Sequence, residues 1–142
     1  MENQTERIPD YYSEEFDIPE SAIDYNNHVN NVIYVQWMQD IAIKHSDSKH
    51  AEVVMDRIGC TWMVRTHHIE YRSQAFFGDR LRVTTWVAEY SKVTCKRCCK
   101  FERVSDGALI LCSETTWVFV DKKRGRPAAI PDEIKELYTA KV

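Results

Sequence analysis

The sequence has 142 residues, a length that suits one domain with one hydrophobic core. Hydrophobic residues make up 44%, charged residues 29% and the net charge is -3, so no overall basic field indicates binding to nucleic acid. The polar N-terminus does not have the pattern of a signal peptide, and no apolar run approaches the roughly 20 residues that cross a bilayer. We therefore expect a cytoplasmic protein with no membrane partner.

The first half of the chain predicts one strand and two helices. Residues 11–18 form a predicted strand that ends at Pro19. After a polar loop, residues 31–48 predict a helix whose apolar side chains cover most of its circumference, so we expect it to be buried on most sides. A shorter helical segment, residues 51–58, ends before Gly59.

The second half changes to the period of strands. Four segments rich in β-branched and aromatic residues are separated by short turn signals, and short gaps indicate antiparallel hairpins. These segments are residues 61–73, 80–90, 93–104 and 108–121. A short helix follows, with Pro131 in its first turn. This order predicts an α+β domain in which one antiparallel sheet encloses one helix, and the open outer strands favour pairing with another subunit.

The five cysteines indicate reduced thiols, because their number is odd and no export signal is evident. Cys95 and Cys98 have the spacing of metal ligands, but a structural zinc site needs four ligands and usually a second such pair. We therefore expect neither a metal nor a bound cofactor, and we expect the thiols to lie on half-buried strands.

The segment DYNNHVNN, which begins at Asp24, gathers turn-forming and cap-forming side chains directly before the long helix. Asn30 or Asn31 can cap the helix, which leaves Asp24, Asn26 and His28 at alternate positions before it. The free N–H groups of a helix start can hold an oxyanion, and a nearby carboxylate can attack a carbonyl or activate water. The pattern indicates an acyl-transfer site. A purely structural turn, with His28 packed beneath it, accounts for the same composition.

These residues resemble the signature of the hotdog-fold thioesterases, the 4-hydroxybenzoyl-CoA thioesterase-like superfamily, in which Asp-x-x-Gly-His-x-Asn-Asn-x-x-Tyr precedes the central helix. The segment from Asp24 to Trp37 is most similar to the fatty acyl-ACP thioesterase branch. Residues 69–87 resemble the family's strand that leads to a Gly-Asp turn. The sequence departs from the family at Ala22, where many members have a second acid, and at Asn27, where they have glycine.

The resemblance implies a hotdog homodimer or homotetramer that hydrolyses an acyl-CoA or acyl-carrier-protein thioester, with active sites between subunits. By position, Asp24 matches the catalytic carboxylate, acting as nucleophile or general base. The backbone N–H of Asn31 lies where the family polarises the carbonyl. Asn26 and His28 match residues that orient the carboxylate and the water, and Glu70 matches a strand carboxylate that acts as a second acid or base.

Two other kinds of hotdog protein remain as alternatives: a non-catalytic protein that binds acyl thioesters, as a sensor or complex subunit, and a dehydratase or hydratase. A pure binder has no need of the carboxylate of Asp24, and the dehydratases have a different pattern of His and Asp. For Glu70, the alternative to catalysis is an ordinary position on the outer face of a strand. The apolar side chains that the helix offers as lining favour a fatty or otherwise hydrophobic acyl group; they are Tyr34, Trp37, Met38 and Ile41.

Overall fold

The computed structural model describes residues 7–141 as a curled antiparallel sheet with a long helix packed against its inner face. The strands are β1 (Tyr12–Asp17), β2 (Cys60–Tyr71), β3 (Arg80–Tyr90), β4 (Thr94–Arg103), β5 (Leu109–Asp121) and β6 (Arg126–Pro127). The helices are α1 (Asn31–Ser48), α2 (Ala51–Ile58) and α3 (Asp132–Leu137), and a short 3-10 turn covers Glu20–Ala22. Every element that the sequence predicts is present, within two residues of its predicted bounds.

The order of the strands in the sheet is β1-β3-β4-β5-β2, and the short β6 pairs with β5. Hairpins join β3 to β4 and β4 to β5, as predicted. The prediction of a hairpin between β2 and β3 is wrong, because β2 pairs with β5 instead. The chain between Tyr71 and Arg80 connects β2, at one edge of the sheet, to β3, which lies next to the strand at the other edge. Strands β1 and β2 therefore form the two outer edges of the sheet.

Each strand alternates between an inner face toward α1 and an outer, more polar face. On β4, Cys99 and Phe101 are buried inside, whereas Cys98 and Lys100 lie on the outer face. Cys95 is also on the inner face, so Cys95 and Cys98 point to opposite sides of the sheet and do not form a metal site together. Among residues 7–141, no cluster of three metal-ligating side chains occurs, and all five cysteines are free.

Helix α1 buries only one face in the single chain. The buried residues recur at helical spacing: Tyr34, Met38, Ile41, Ala42 and His45. Val32 is 72% exposed and Ile43 is 59% exposed on the remaining surface. The expectation that this helix is buried on most sides is therefore wrong for one chain, because the sheet of that chain covers a single face of the helix.

Helices α2 and α3 close the other end of the sheet with a second apolar cluster. Ala51 of α2 and Ile134 of α3 are buried there beside Phe119 of β5. Pro131 is the cap residue directly before α3 and does not lie in its first turn as predicted, since the helix begins at Asp132. In the part of the chain that the structure describes, no helix is long and apolar enough to cross a bilayer.

Candidate active site

The loop before α1 is a compact turn that backbone hydrogen bonds close and anchor. The N–H of Asp24 donates to the carbonyl of His28 over 2.9 Å. Val29, only 3% exposed, donates its N–H to the carbonyl of Ala75 over 3.2 Å. The loop is thereby fixed to the segment between β2 and β3, which carries the Gly-Asp turn of the second family-like segment.

The carboxylate of Asp24 shapes this turn with one of its two oxygens. Its Oδ1 accepts the backbone N–H of Asn26 over 2.9 Å and that of His28 over 3.4 Å. None of the hydrogen bonds that the structure describes uses Oδ2. The residue is half-buried, and Oδ2 is the carboxylate oxygen that the turn itself does not use.

Asn27 occupies the position at which the family motif has glycine. Its φ angle is 68°, in the left-handed region that glycine adopts without penalty. Asparagine is one of the few other residues that tolerate this conformation, because its short polar side chain bonds locally. The departure from the family motif at Asn27 therefore preserves the turn that holds Asp24.

Asn30 caps helix α1, which decides between the two predicted caps. Its side-chain Oδ1 accepts the N–H of Val32 over 3.0 Å. Asn31 is the first residue of the helix, and its N–H has no acceptor within the helix because of its position. That N–H lies at the positive end of an 18-residue helix, where developing negative charge is stabilised.

An aromatic cluster forms the apolar floor beneath the start of α1. Tyr34 is 3% exposed and packs edge-on against Trp37, Tyr71 and Phe101, with ring centroids 5.5, 5.9 and 5.5 Å away. Burial, followed by the effect of Tyr71, raises the pKa of Tyr34 to about 12, so its hydroxyl stays protonated at neutral pH. The sequence analysis singled out Tyr34 and Trp37 of this cluster but not Tyr71 of β2 or Phe101 of β4, and a role of the cluster in binding an acyl group stays a prediction.

The predicted loop residues Asp24, Asn26 and His28 lie together within one turn. The side chain of Asn26 is exposed, and His28 is half-buried with its ring edge-on to Phe76 at 5.6 Å. The contact between His28 and Phe76 is also the packing that a purely structural turn predicts. The structure therefore brings three candidate residues and a helix start into one small region.

Asp79 and Arg103, neither of which the sequence indicated as a site residue, hold the neighbouring segment in place. Asp79 Oδ2 accepts the N–H of Phe76 and the Nε–H of Arg103, both over 3.0 Å. Arg103 also donates to the carbonyl of Gln74. The Gly-Asp turn marked this segment in the sequence, but no local signal linked it to Arg103 on β4.

Glu70 lies on the outer face of β2, away from the start of α1. Its neighbour Tyr71 reaches inward, where its hydroxyl is 3.4 Å from the carbonyl oxygen of Asn31, and adjacent strand residues point to opposite faces. Glu70 Oε2 accepts from the Cys112 thiol over 3.4 Å and from Arg72 over 3.3 Å. These two partners hold the pKa of Glu70 below its usual value. Within one chain, the structure does not bring Glu70 and Asp24 together.

The sequence of the chain also matches a known protein family. Residues 19–137 match the sequence model of the thioesterase-like superfamily. Over 75 residues, the chain is 29% identical to the chloroplastic acyl-[acyl-carrier-protein] hydrolase FATB3 of Cuphea viscosissima. That match covers 53% of this chain and only 18% of the plant protein.

Solved structures of low sequence identity have the same fold. The probable thioesterase YbaW of Escherichia coli superposes with a TM-score of 0.82 at 18% identity, over 88% of this chain and 94% of the other. The 12:0-ACP thioesterase of Umbellularia californica gives a TM-score of 0.81 at 17% identity, over 93% of this chain and 52% of the other. These matches confirm the predicted hotdog arrangement of one antiparallel sheet around one helix.

Proposed function

The chain belongs to the thioesterase-like superfamily. We propose that it hydrolyses an acyl thioester of coenzyme A or of an acyl carrier protein to the free acid and a thiol. The observation that carries this proposal is the carboxylate of Asp24, held by its Oδ1 in the turn that leads directly into α1. The superfamily supports thioester hydrolysis in general. The roles of the individual residues and the choice of carrier are part of the proposal.

Asp24 acts on the thioester carbonyl in one of two ways. Its Oδ2 either attacks the carbonyl carbon to form an anhydride that water then cleaves, or removes a proton from a water molecule that attacks directly. In both cases the C–S bond breaks, water supplies the new carboxylate oxygen, and the thiol leaves with a proton. Asn26 and His28 orient the carboxylate and the attacking water in this scheme.

The start of α1 stabilises the negative charge that develops on the carbonyl oxygen. The backbone N–H of Asn31 points out of the first turn, and the dipole of the helix adds to its effect. Since Asn30 uses its side chain to cap the N–H of Val32, it leaves the N–H of Asn31 for the substrate. Glu70 is the proposed second acid or base, and its outer-face position makes it the weaker member of the set.

The proposed active unit is a homodimer or a homotetramer. Strand β2 is an open edge of 12 residues, and Met63, Val64 and Tyr71 on it are 57%, 37% and 47% exposed. Such a long, partly apolar edge favours pairing with another copy of the chain. The exposed apolar side chains of α1, including Val32 and Ile43, would then have a second surface to pack against.

A screen of purified protein for release of free thiol tests the proposal. Short-chain, long-chain and aromatic acyl-CoAs and one acyl carrier protein form the panel, and hydrolysis of at least one of them is expected. A protein that binds these thioesters tightly and never cleaves them would instead be the non-catalytic sensor or complex subunit. The same panel identifies the preferred carrier of the acyl group. We expect the hydrolysis to require no metal and no cofactor, and we expect the protein to work in a reducing, cytoplasmic setting.

A further inference from the structure

A cavity of about 350 Å³ lies beneath the C-terminal half of α1, at the opposite end of this helix from Asp24. Its volume is at the lower end of the range typical of small-molecule sites. Ala42 of α1 lines this cavity. At a rise of about 1.5 Å per residue, it lies about 17 Å along the helix axis from Asn31. The walls are largely apolar: Ala42, Ile43, Ala51, Met55, Trp62 and Val87.

A buried cation borders this cavity. Arg97 is only 7% exposed, and both of its described hydrogen bonds leave from Nη1, to His45 Nδ1 over 2.9 Å and to Thr85 Oγ1 over 3.1 Å. His45 is neutral, because burial and the charge of Arg97 lower its pKa to about 4. The carboxylate of Asp10 lies on the far side of the imidazole, 2.9 Å from Nε2. Within residues 7–141, no carboxylate forms an ion pair with Arg97 itself.

A second donor on the same cavity has no acceptor. The indole Nε1 of Trp117 is buried and has no hydrogen-bond partner among the described residues. A buried N–H that has given up water without gaining an acceptor destabilises the protein, so such groups usually indicate a missing partner. Arg97 and Trp117 thus supply a cation and an unpaired N–H to one cavity whose walls are largely apolar.

The rim of the cavity carries acids, but they act weakly on its interior. Asp47, Glu52 and Asp56 are exposed at the rim, and Lys122 lies 3.7 Å from Asp56. Charges in water are screened over roughly 8–10 Å, whereas an ion pair inside the protein is much stronger at the same distance. The buried guanidinium therefore dominates the selection of a ligand that has entered the cavity.

We propose that this cavity binds the carboxylate of an apolar chain, with Arg97 and Trp117 donating to the carboxylate and the apolar walls holding the chain. Two sources have this chemistry. One is a free fatty acid, and the other is the distal carboxylate of a dicarboxylic acyl group, which rests on the proposed thioesterase function. A small second cavity, lined by Met38 in the middle of α1 and by His67 of β2, also borders Arg97 and Trp117.

Binding of decanoate, measured by calorimetry, tests the site without any need for turnover. Decanol is the uncharged comparison, and decanoate should bind roughly 10- to 100-fold more tightly, as for a hydrogen bond to a charged group. Trp117→Phe removes the unpaired N–H and keeps most of the ring, so decanoate affinity should fall by more than decanol affinity does, because a hydrogen bond to a charged group is the stronger one. Arg97→Gln should remove most of the preference for decanoate.

Trp86→Phe is the matched control, since Trp86 packs against Tyr11 and does not line the cavity. Because Arg97→Gln also disturbs the contact with His45, Trp117→Phe keeps the test valid if that variant does not fold. Equal binding of decanoate and decanol to the parent protein would overturn the proposal. So would a Trp117→Phe variant that binds decanoate as tightly as the parent protein does.

The two sources give different results in a turnover assay. If the substrate carries the carboxylate, the mono-CoA thioester of decanedioic acid is hydrolysed with a higher kcat/KM than decanoyl-CoA, and Trp117→Phe removes that advantage. If the ligand is a free fatty acid, decanoate binds with no such advantage. Decanoate binding by a protein that hydrolyses no thioester would sink the proposed function and leave this site intact.

Discussion

Nη1 of Arg97 lies 2.9 Å from Nδ1 of the fully buried His45. An arginine side chain only donates hydrogen bonds, so Nδ1 of this histidine is the acceptor and its proton is on Nε2. That proton is donated to Asp10 Oδ2 over 2.9 Å. Although burial alone would raise it, the pKa of Asp10 is lowered by its hydrogen bonds with His45 and Lys49. The core of this protein therefore contains one neutral imidazole in a defined tautomer, between a cation and an anion.

The first prediction is a loss of stability in mild acid. The pKa of His45 is about 4 in the folded protein and about 6.5 in the unfolded chain, so the unfolded chain alone binds this proton between those values. The free energy of unfolding should fall as the pH decreases from about 6.5 to about 4, by about 3 kcal/mol from His45 alone. Urea titrations at several pH values measure this slope, and His45→Gln should flatten it. Equal slopes in the two proteins would contradict the prediction.

The second prediction concerns Asn27, the left-handed residue in the turn of the candidate active site. Asn27 has φ 68°, so Asn27→Gly should change the free energy of unfolding by only a few tenths of a kcal/mol. Asn27→Val should lower it by about 1–2 kcal/mol, because a β-branched residue is strained in this conformation. Thermal unfolding measures both changes. Asn26→Val, next to it and exposed, is the control and should cost less than Asn27→Val.

Much of the fold was predictable because its signals are local. The period of apolar residues placed α1 and the four long strands, and the asparagines marked the start of the helix. The position of β2 at the sheet edge was not predictable, because strand pairing depends on distant segments. The contact of His45 with Arg97 joins residues 52 positions apart, and neither residue stands in a recognisable motif. For Glu70, the sequence left a catalytic role and an ordinary outer-face position both open, and only the pairing of β2 with β5 puts its side chain on the outer face beside Cys112.

The third prediction is an oligomer that depends on the edge of β2. Light scattering should give at least the mass of a dimer. Met63→Lys places a charge on that edge at a side chain already 57% exposed, so it should weaken association about tenfold or more while the chain stays folded. Val53→Lys is the matched control, on α2 and 63% exposed. A stable monomer with full activity would rule out an active site shared between subunits.

The fourth prediction concerns the acyl group beside the reacting carbonyl. Tyr34, Trp37 and Phe101 make the floor below the helix start apolar. Each methylene buried there contributes about 0.8 kcal/mol, so kcat/KM should rise along a series from butyryl-CoA to decanoyl-CoA. Malonyl-CoA, with its charge next to the thioester, should be a poor substrate. A higher kcat/KM for malonyl-CoA than for decanoyl-CoA would count against this apolar floor as the acyl site.

The last prediction separates the chemical role of Asp24 from its structural role. The turn uses Oδ1 to accept two backbone N–H groups, and Asp24→Asn retains an oxygen that can do the same. The fold and the binding of substrate should therefore survive, while turnover falls by roughly 10²–10⁴, the usual contribution of a positioned acid or base. Asp24→Ala is measured beside it, because asparagine can deamidate back to aspartate, and Asp17→Asn on the outer face of β1 is the matched control.

Glu70→Gln completes the experiment. If Glu70 shares the proton transfers, its loss should reduce turnover about as much as Asp24→Asn does. Its side chain points away from the start of α1 and already accepts from Arg72 and Cys112, so within one chain we expect the smaller effect. A large effect would require a second subunit to bring Glu70 to the site. If Asp24→Asn and Asp24→Ala both keep near-full hydrolysis, Asp24 is only a turn residue and the proposed mechanism is wrong.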